Sequence, residues 1–170
     1  MKTSNEHPLQ TPKVLFKKIL VAVDGSESAG RAANTALELA DKLKADLIVL
    51  HAISPPPTAY RSALPSLGPM VPPPAPQSEI EAYYAYARRV ALGIIAQSIS
   101  EAKKRGINVK SETPEGVTSV VETIINHATN EKVDLIVVGT RGLGGFKKML
   151  IGSVSSGVVT HASCPVLVVR

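Results

Sequence analysis

Short β-branched apolar runs alternate with amphipathic stretches along most of this chain. Ile19 to Val23 is the first such run and predicts a strand. Ser26 or Ser28 can cap the helix after it, whose apolar positions Ala32, Ala33, Ala36, Leu37, Leu39, Ala40 and Leu43 share one face. Asp46 to Ile53 predicts a second strand. Ser78 and Glu81 form a capping-box pattern that opens a long helix to about Arg105, and Gly106 suits its end. Ile107 to Glu112 alternates, as a more exposed third strand would. Glu115 to Glu131 reads as a helix with Val117, Val120, Val121, Ile124 and Ile125 on its buried side. The apolar run Val133 to Val138 predicts a buried parallel strand, Val154 to Ala162 a short helix, and Val166 to Val169 a fifth strand.

Strands alternating with helices imply an α/β domain, a parallel sheet covered on both faces. Right-handed crossovers then gather the ligand-binding loops at one carboxyl edge. A length of 170 residues is close to one domain. Residues 1–16, polar and containing two prolines, are expected to be a flexible leader to a domain over 17–170. Ser54 to Gln77 breaks the pattern, because nine of the 13 prolines fall there and prevent a regular ladder or helix. This insertion, 54–77, has every tyrosine in it or just beyond it: Tyr60, Tyr83, Tyr84 and Tyr86. A lid, a docking arm and a tolerated surface loop all fit it.

Composition narrows the functional classes. Hydrophobic content of 44% suits a compact α/β core, and no apolar run approaches the ~20 residues of a membrane helix. With no hydrophobic signal core near the start, cytoplasmic residence is expected. The single Cys164 excludes an intramolecular disulfide and reads as a small packing residue at the start of the last strand. The net charge of +5 raises nucleic acid as a partner. The basic residues are scattered, however, Trp is absent, and no aromatics interleave to stack bases, so no nucleic-acid interface is expected.

The chemistry concentrates between Gly139 and Ser153, GTRGLGGFKKMLIGS. Glycines stand where a strand ends and a helix begins, the places where backbone can wrap a phosphate. Gly139 and Gly142 are expected to supply positive φ or close ligand approach, and Gly152 with Ser153 amides and a hydroxyl for anionic oxygens. Arg141, Lys147 and Lys148 add positive charge. A turn that merely needs glycine is the plain alternative. The chain contains neither a Walker A loop nor, at Asp24-Gly25-Ser26-Glu27-Ser28, the dinucleotide fingerprint.

Three blocks carry a family likeness: KKILVAVDGSESAGRAANTALELA, ADLIVLHAI, and VDLIVVGTRGLGGFKKMLIGSVSSGVVTHASCPVLVV. With them the chain resembles the universal stress protein family, in its ATP-binding subgroup, from about Lys17 to Arg170. The family pattern G-x2-G-x9-G-[ST] is met by Gly139, Gly142, Gly152 and Ser153. The resemblance implies a Rossmann-like five-stranded sheet of order 3-2-1-4-5, with the first and fourth strands flanking the switch point. It also implies that Ala22 and Ala52 line an adenine, that Asp24 contacts the ribose, and that Gly139, Gly142, Gly152, Ser153 and Val154 surround the ribose and phosphates. Arg141 then either pairs with a phosphate or points into solvent. His51 closes the second strand and reads as a structural or lining residue.

The implied cofactor is ATP, with magnesium or manganese carried by the triphosphate rather than by a protein cage. No nucleophile elbow, triad or water-activating carboxylate is apparent. That favours a nucleotide-dependent stress-response regulator over a weak ATPase or nucleotidyl transferase, and the complete glycine pattern disfavours an interaction protein that binds no nucleotide. The fifth strand, 165–169, would form an apolar sheet edge, and relatives of the subgroup dimerise there, so a homodimer is expected. A covering of that edge by the leader is the alternative. A further protein partner is expected but not identifiable.

Overall fold

Residues 16–57, 75–142 and 151–170 are described by a computed structural model of the chain. Among them, β1 (Lys18–Ala22), α1 (Glu27–Leu43), β2 (Asp46–Leu50), α2 (Gln77–Lys104), β3 (Val109–Glu112), α3 (Val120–Asn130), β4 (Leu135–Gly139), α4 (Ser153–His161) and β5 (Val166–Val169) follow in turn. The strands form one parallel sheet of order β3-β2-β1-β4-β5. The leader through residue 15, the insertion from 58 to 74 and the loop from 143 to 150, with Lys147 and Lys148, lie outside the described residues.

Period-two alternation sorts the strand side chains onto two faces. Ile19, Val21, Leu47, Val49, Leu135 and Val137 pack with α1 and α2, burying Ala32, Ala36, Leu37, Ile95 and Ala102. Leu20, Ile48, Leu50, Ile136 and Val138 pack on the other face with Ile124 and Ala128 of α3 and Val158 of α4. Both faces of the central strands are therefore apolar, which is why their sequences read as continuous runs.

Element ends depart from the sequence expectations for identifiable reasons. Tertiary pairing shortens β2, which was expected to reach Ile53. Past Leu50 the chain leaves β1, and Ile53 instead bridges Glu115, its amide on Pro114 O at 2.8 Å and its carbonyl accepting Val117 N at 3.0 Å. That pairing keeps 115–117 out of the helix, with Gly116 at φ +67°, so α3 starts at Val120 under a Ser119 cap rather than at Glu115. The capping box at Ser78 and Glu81 does not form. Backbone bonding already begins at the Pro76 carbonyl, which accepts from Glu79 N at 2.9 Å, placing Ser78 inside the first turn. At the other end of α2, Ile107 N donates to Ala102 O at 2.9 Å and Gly106 N to Lys103 O at 3.0 Å, with Gly106 at φ +68°. This Schellman closure holds Ile107 out of the ladder, so β3 begins at Val109 rather than Ile107.

Candidate functional site

The carboxyl ends of β1, β2 and β4 and the start of α4 enclose a cleft of about 650 Å³. The lining includes all nine positions singled out from the sequence: Ala22, Asp24, Ala52, Gly139, Arg141, Gly142, Gly152, Ser153 and Val154. They come from four separate chain segments, and the parallel topology gathers them at the switch point between β1 and β4. The volume is in the range of cofactor pockets. The lining is mixed. Ala22, Leu50, Ala52, Val120, Ile124 and Val138 offer apolar surface, whereas Asp24, Arg141 and Ser153 offer polar groups.

Local geometry explains the glycines better than conformational freedom does. The glycines with positive φ among the described residues are Gly25, Gly106 and Gly116, so of the two roles expected for Gly139 and Gly142, positive φ or close ligand approach, the first does not apply. At Gly139 close packing is the requirement instead. A Cβ on Gly139 would fall 2.6 Å from Ser28 Oγ and 2.8 Å from the Ser28 carbonyl oxygen. Gly139 thus lets the first turn of α1 lie directly on β4. A Cβ on Gly142 would fall 2.6 Å from Asp24 Oδ2, the far end of a side chain. Gly152 sits against Thr140 and Arg141 and caps α4 with φ −71° and ψ 161°. A glycine cap brings no side chain to the first-turn amides of α4, whose dipole favours an anion.

Hydroxyls hold this edge together. Ser26 is the cap of α1, accepting Ala29 N at 3.2 Å, while its own amide donates to Asp24 Oδ1 at 2.9 Å. Ser28, left by the sequence as a second cap candidate, instead bonds across the cleft wall to the backbone of Arg141. From the opposite face Ser155 Oγ donates to Gly139 O at 2.6 Å. Neither Ser28 nor Ser155 was singled out as a site residue. The only available signal was a small polar residue inside a first helical turn. His51 behaves as a lining and structural residue, its Nδ1 2.8 Å from Val23 O just before Asp24.

The charge at this edge is sparse. Arg141 is exposed, and no ion pair among the described residues involves it. No group of three or more His, Cys, Asp or Glu side chains among the described residues is placed to hold a metal. No described helix is long and apolar enough to cross a membrane. Partial burial raises the Cys164 thiol above its ordinary pKa, which keeps it protonated and far from a reactive thiolate.

An open parallel sheet of order 3-2-1-4-5, with a ligand-sized cleft at its switch point and a glycine-serine helix start, defines a Rossmann-like α/β architecture. The family model for the universal stress protein family matches residues 15–170, and the chain belongs to that family. It is 34% identical over 156 residues to the universal stress protein YxiE of Bacillus subtilis, covering 92% of this chain and all of that one. Its structure is similar to that of the universal stress protein UspA from Lactobacillus plantarum, with a TM-score of 0.67 and 29% identity over 91% of this chain and 98% of the other. In fold alone it also resembles a universal stress protein family member from Arabidopsis thaliana with AMP bound. That likeness has a TM-score of 0.60 and 20% identity, over 90% of each chain.

Proposed function

We propose that the cleft binds an adenine nucleotide, ATP with magnesium or manganese carried on its phosphates, and that the bound state switches a cytoplasmic stress-response regulator. The carrying observation is the convergence of Asp24, Ala22, Ala52 and the full G-x2-G-x9-G-S set on one cleft of about 650 Å³. Apolar surface from Ala22, Ala52, Val120 and Ile124 suits a base. The Asp24 carboxylate can accept ribose hydroxyl bonds. Gly139, Gly142, Gly152, Ser153 and Val154 surround the ribose and phosphates, and Arg141, which lines the cleft, supplies a cationic group to a polyphosphate. The AMP held by the Arabidopsis protein is a precedent for such a ligand in this fold.

Calorimetry with ATP, AMP and GTP in the presence of magnesium tests the reading, together with mass spectrometry of small molecules released on denaturation. ATP binding that exceeds GTP binding is expected. No measurable ATP binding would sink the proposal, and equal GTP binding would remove its adenine selectivity. Turnover of ATP during the titration would favour the weak-ATPase alternative.

The same reading includes a homodimer through residues 165–169. β5 is an edge strand whose four residues are each half-buried in the single chain. Nearby, Val154 and Val159 of α4 and Ile151 leave apolar surface exposed at 36%, 49% and 40%. Light scattering should give twice the chain mass of 17.9 kDa. Val168→Lys should shift the population toward monomer.

A further inference from the structure

We propose that Ser28 is a positioning residue that aims the Gly142 amide into the phosphate end of the cleft. This rests on the nucleotide reading above. Ser28 is buried, at 6% exposure, in the first turn of α1. Its hydroxyl donates to the Arg141 carbonyl and accepts the Arg141 amide at 3.3 Å. A second hydroxyl, from Ser26, donates to the same carbonyl at 3.2 Å. Two donors from α1 therefore fix the direction in which the Arg141 carbonyl points.

In a trans peptide the C=O and the following N–H lie in one rigid plane and point in opposite directions. Holding the Arg141 oxygen against α1 thus turns the Gly142 N–H away from α1. Gly142 lines the cleft on that side, beside Gly152, where a Cβ on Gly152 would lie 3.8 Å from Gly142 N. The bond is possible because Gly139 has no side chain. Any Cβ there would occupy the space of Ser28 Oγ at 2.6 Å. Ser155 Oγ, bonded to Gly139 O at 2.6 Å, braces the same strand end from the other face. A backbone donor held in advance needs no reordering when an anion arrives, and that preorganisation separates binding of phosphate from binding of base.

A merely structural serine would weaken every ligand alike, whereas a positioning role acts on the phosphate part alone. The test compares ATP with adenosine by calorimetry and NMR titration on wild type and Ser28→Ala. ATP affinity is expected to fall about tenfold, a decade being ~1.4 kcal/mol, while adenosine affinity holds. The Gly142 amide resonance of wild type should move with ATP and stay in place with adenosine, a reading that needs no variant to fold. Wild-type binding of ATP with Ser28→Ala unchanged, equal losses for ATP and adenosine, or a Gly142 amide indifferent to ATP would each overturn the inference and leave the nucleotide reading standing. A wild type that binds neither ligand would overturn both.

Discussion

At the amino end of the sheet, Asp134 accepts the backbone amides of Lys17 and Lys18 at 2.8 and 2.9 Å. Lys110 Nζ reaches back to Glu131 at 2.8 Å, and Asn108 bridges to Asp46 at 3.0 Å. Beside the cleft at the carboxyl end, the hydroxyls of Ser26 and Ser28 bond to the Arg141 carbonyl and that of Ser155 to the Gly139 carbonyl, at and just past the end of β4. Formal charges at the first end are consumed by one another and by backbone. At the cleft wall, hydroxyls do the fastening, and Arg141 makes no ion pair among the described residues. Charges paired with one another serve stability, and a cleft wall fastened by hydroxyls keeps its electrostatic capacity for a ligand.

The sharpest way to break that comparison is Gly139→Ala. The new methyl meets backbone atoms of α1, at 2.7 Å from the Ser28 carbonyl carbon, and these cannot rotate aside. We expect a loss of about 1–3 kcal/mol of stability in denaturant titration, as for overpacked cores, with nucleotide affinity falling as Ser28 is displaced. Stability equal to wild type would show that the α1–β4 contact is looser than described.

Gly142→Val with Ser153→Ala should separate binding from folding. Among the described residues, a Cβ at 142 meets only the Asp24 carboxylate, the far end of a side chain. Losing the Ser153 hydroxyl removes a donor worth about 1.5–3 kcal/mol toward a charged acceptor. ATP affinity should drop at least tenfold while circular dichroism and the melting temperature stay near wild type. An unchanged affinity would place the phosphates elsewhere.

Asp134→Ala is the mirror experiment at the amino end. It strips the acceptor from two amides that water can partly satisfy, so about 1 kcal/mol of stability should go. ATP affinity should be the same as wild type, and a fall in it would argue against the division between the two ends.

The smallest effect is in the acid limb of the pH profile. The Lys110 ammonium beside Glu131 holds that carboxyl below its ordinary value of 4.5. A depressed carboxylate contributes stability that is complete above the ordinary value and is lost as pH falls through it toward the lowered one. Lys110→Met should therefore flatten the fall in melting temperature between about pH 5 and pH 3, without changing the profile near neutrality. Because Lys110 is exposed and Glu131 partly so, the change should be slight and should shrink in high salt. A steeper acid limb in the variant would reverse the assigned sign.

The alternation of runs and amphipathic stretches was enough to locate all nine elements, because each strand and helix writes its own period into neighbouring residues. Gly139, Gly142, Gly152 and Ser153 were legible for the same reason: a spacing along the chain is a local property. What decided the ends of β2 and α3 was the pairing of Ile53 with Glu115, two residues far apart in the chain. The reason for Gly139 was equally hidden. Conformational freedom was the local explanation, whereas the actual constraint is Ser28 on another element. Ser28 itself read as a helix cap, since nothing near it in the chain reveals Arg141, 113 residues away, as its partner. Periodicity, caps and motif spacing rest on short-range sterics and hydrogen bonds, so the sequence alone determines them. Which hydroxyl fastens which loop depends on what the sheet order brings within 3 Å, and only the folded chain decides that.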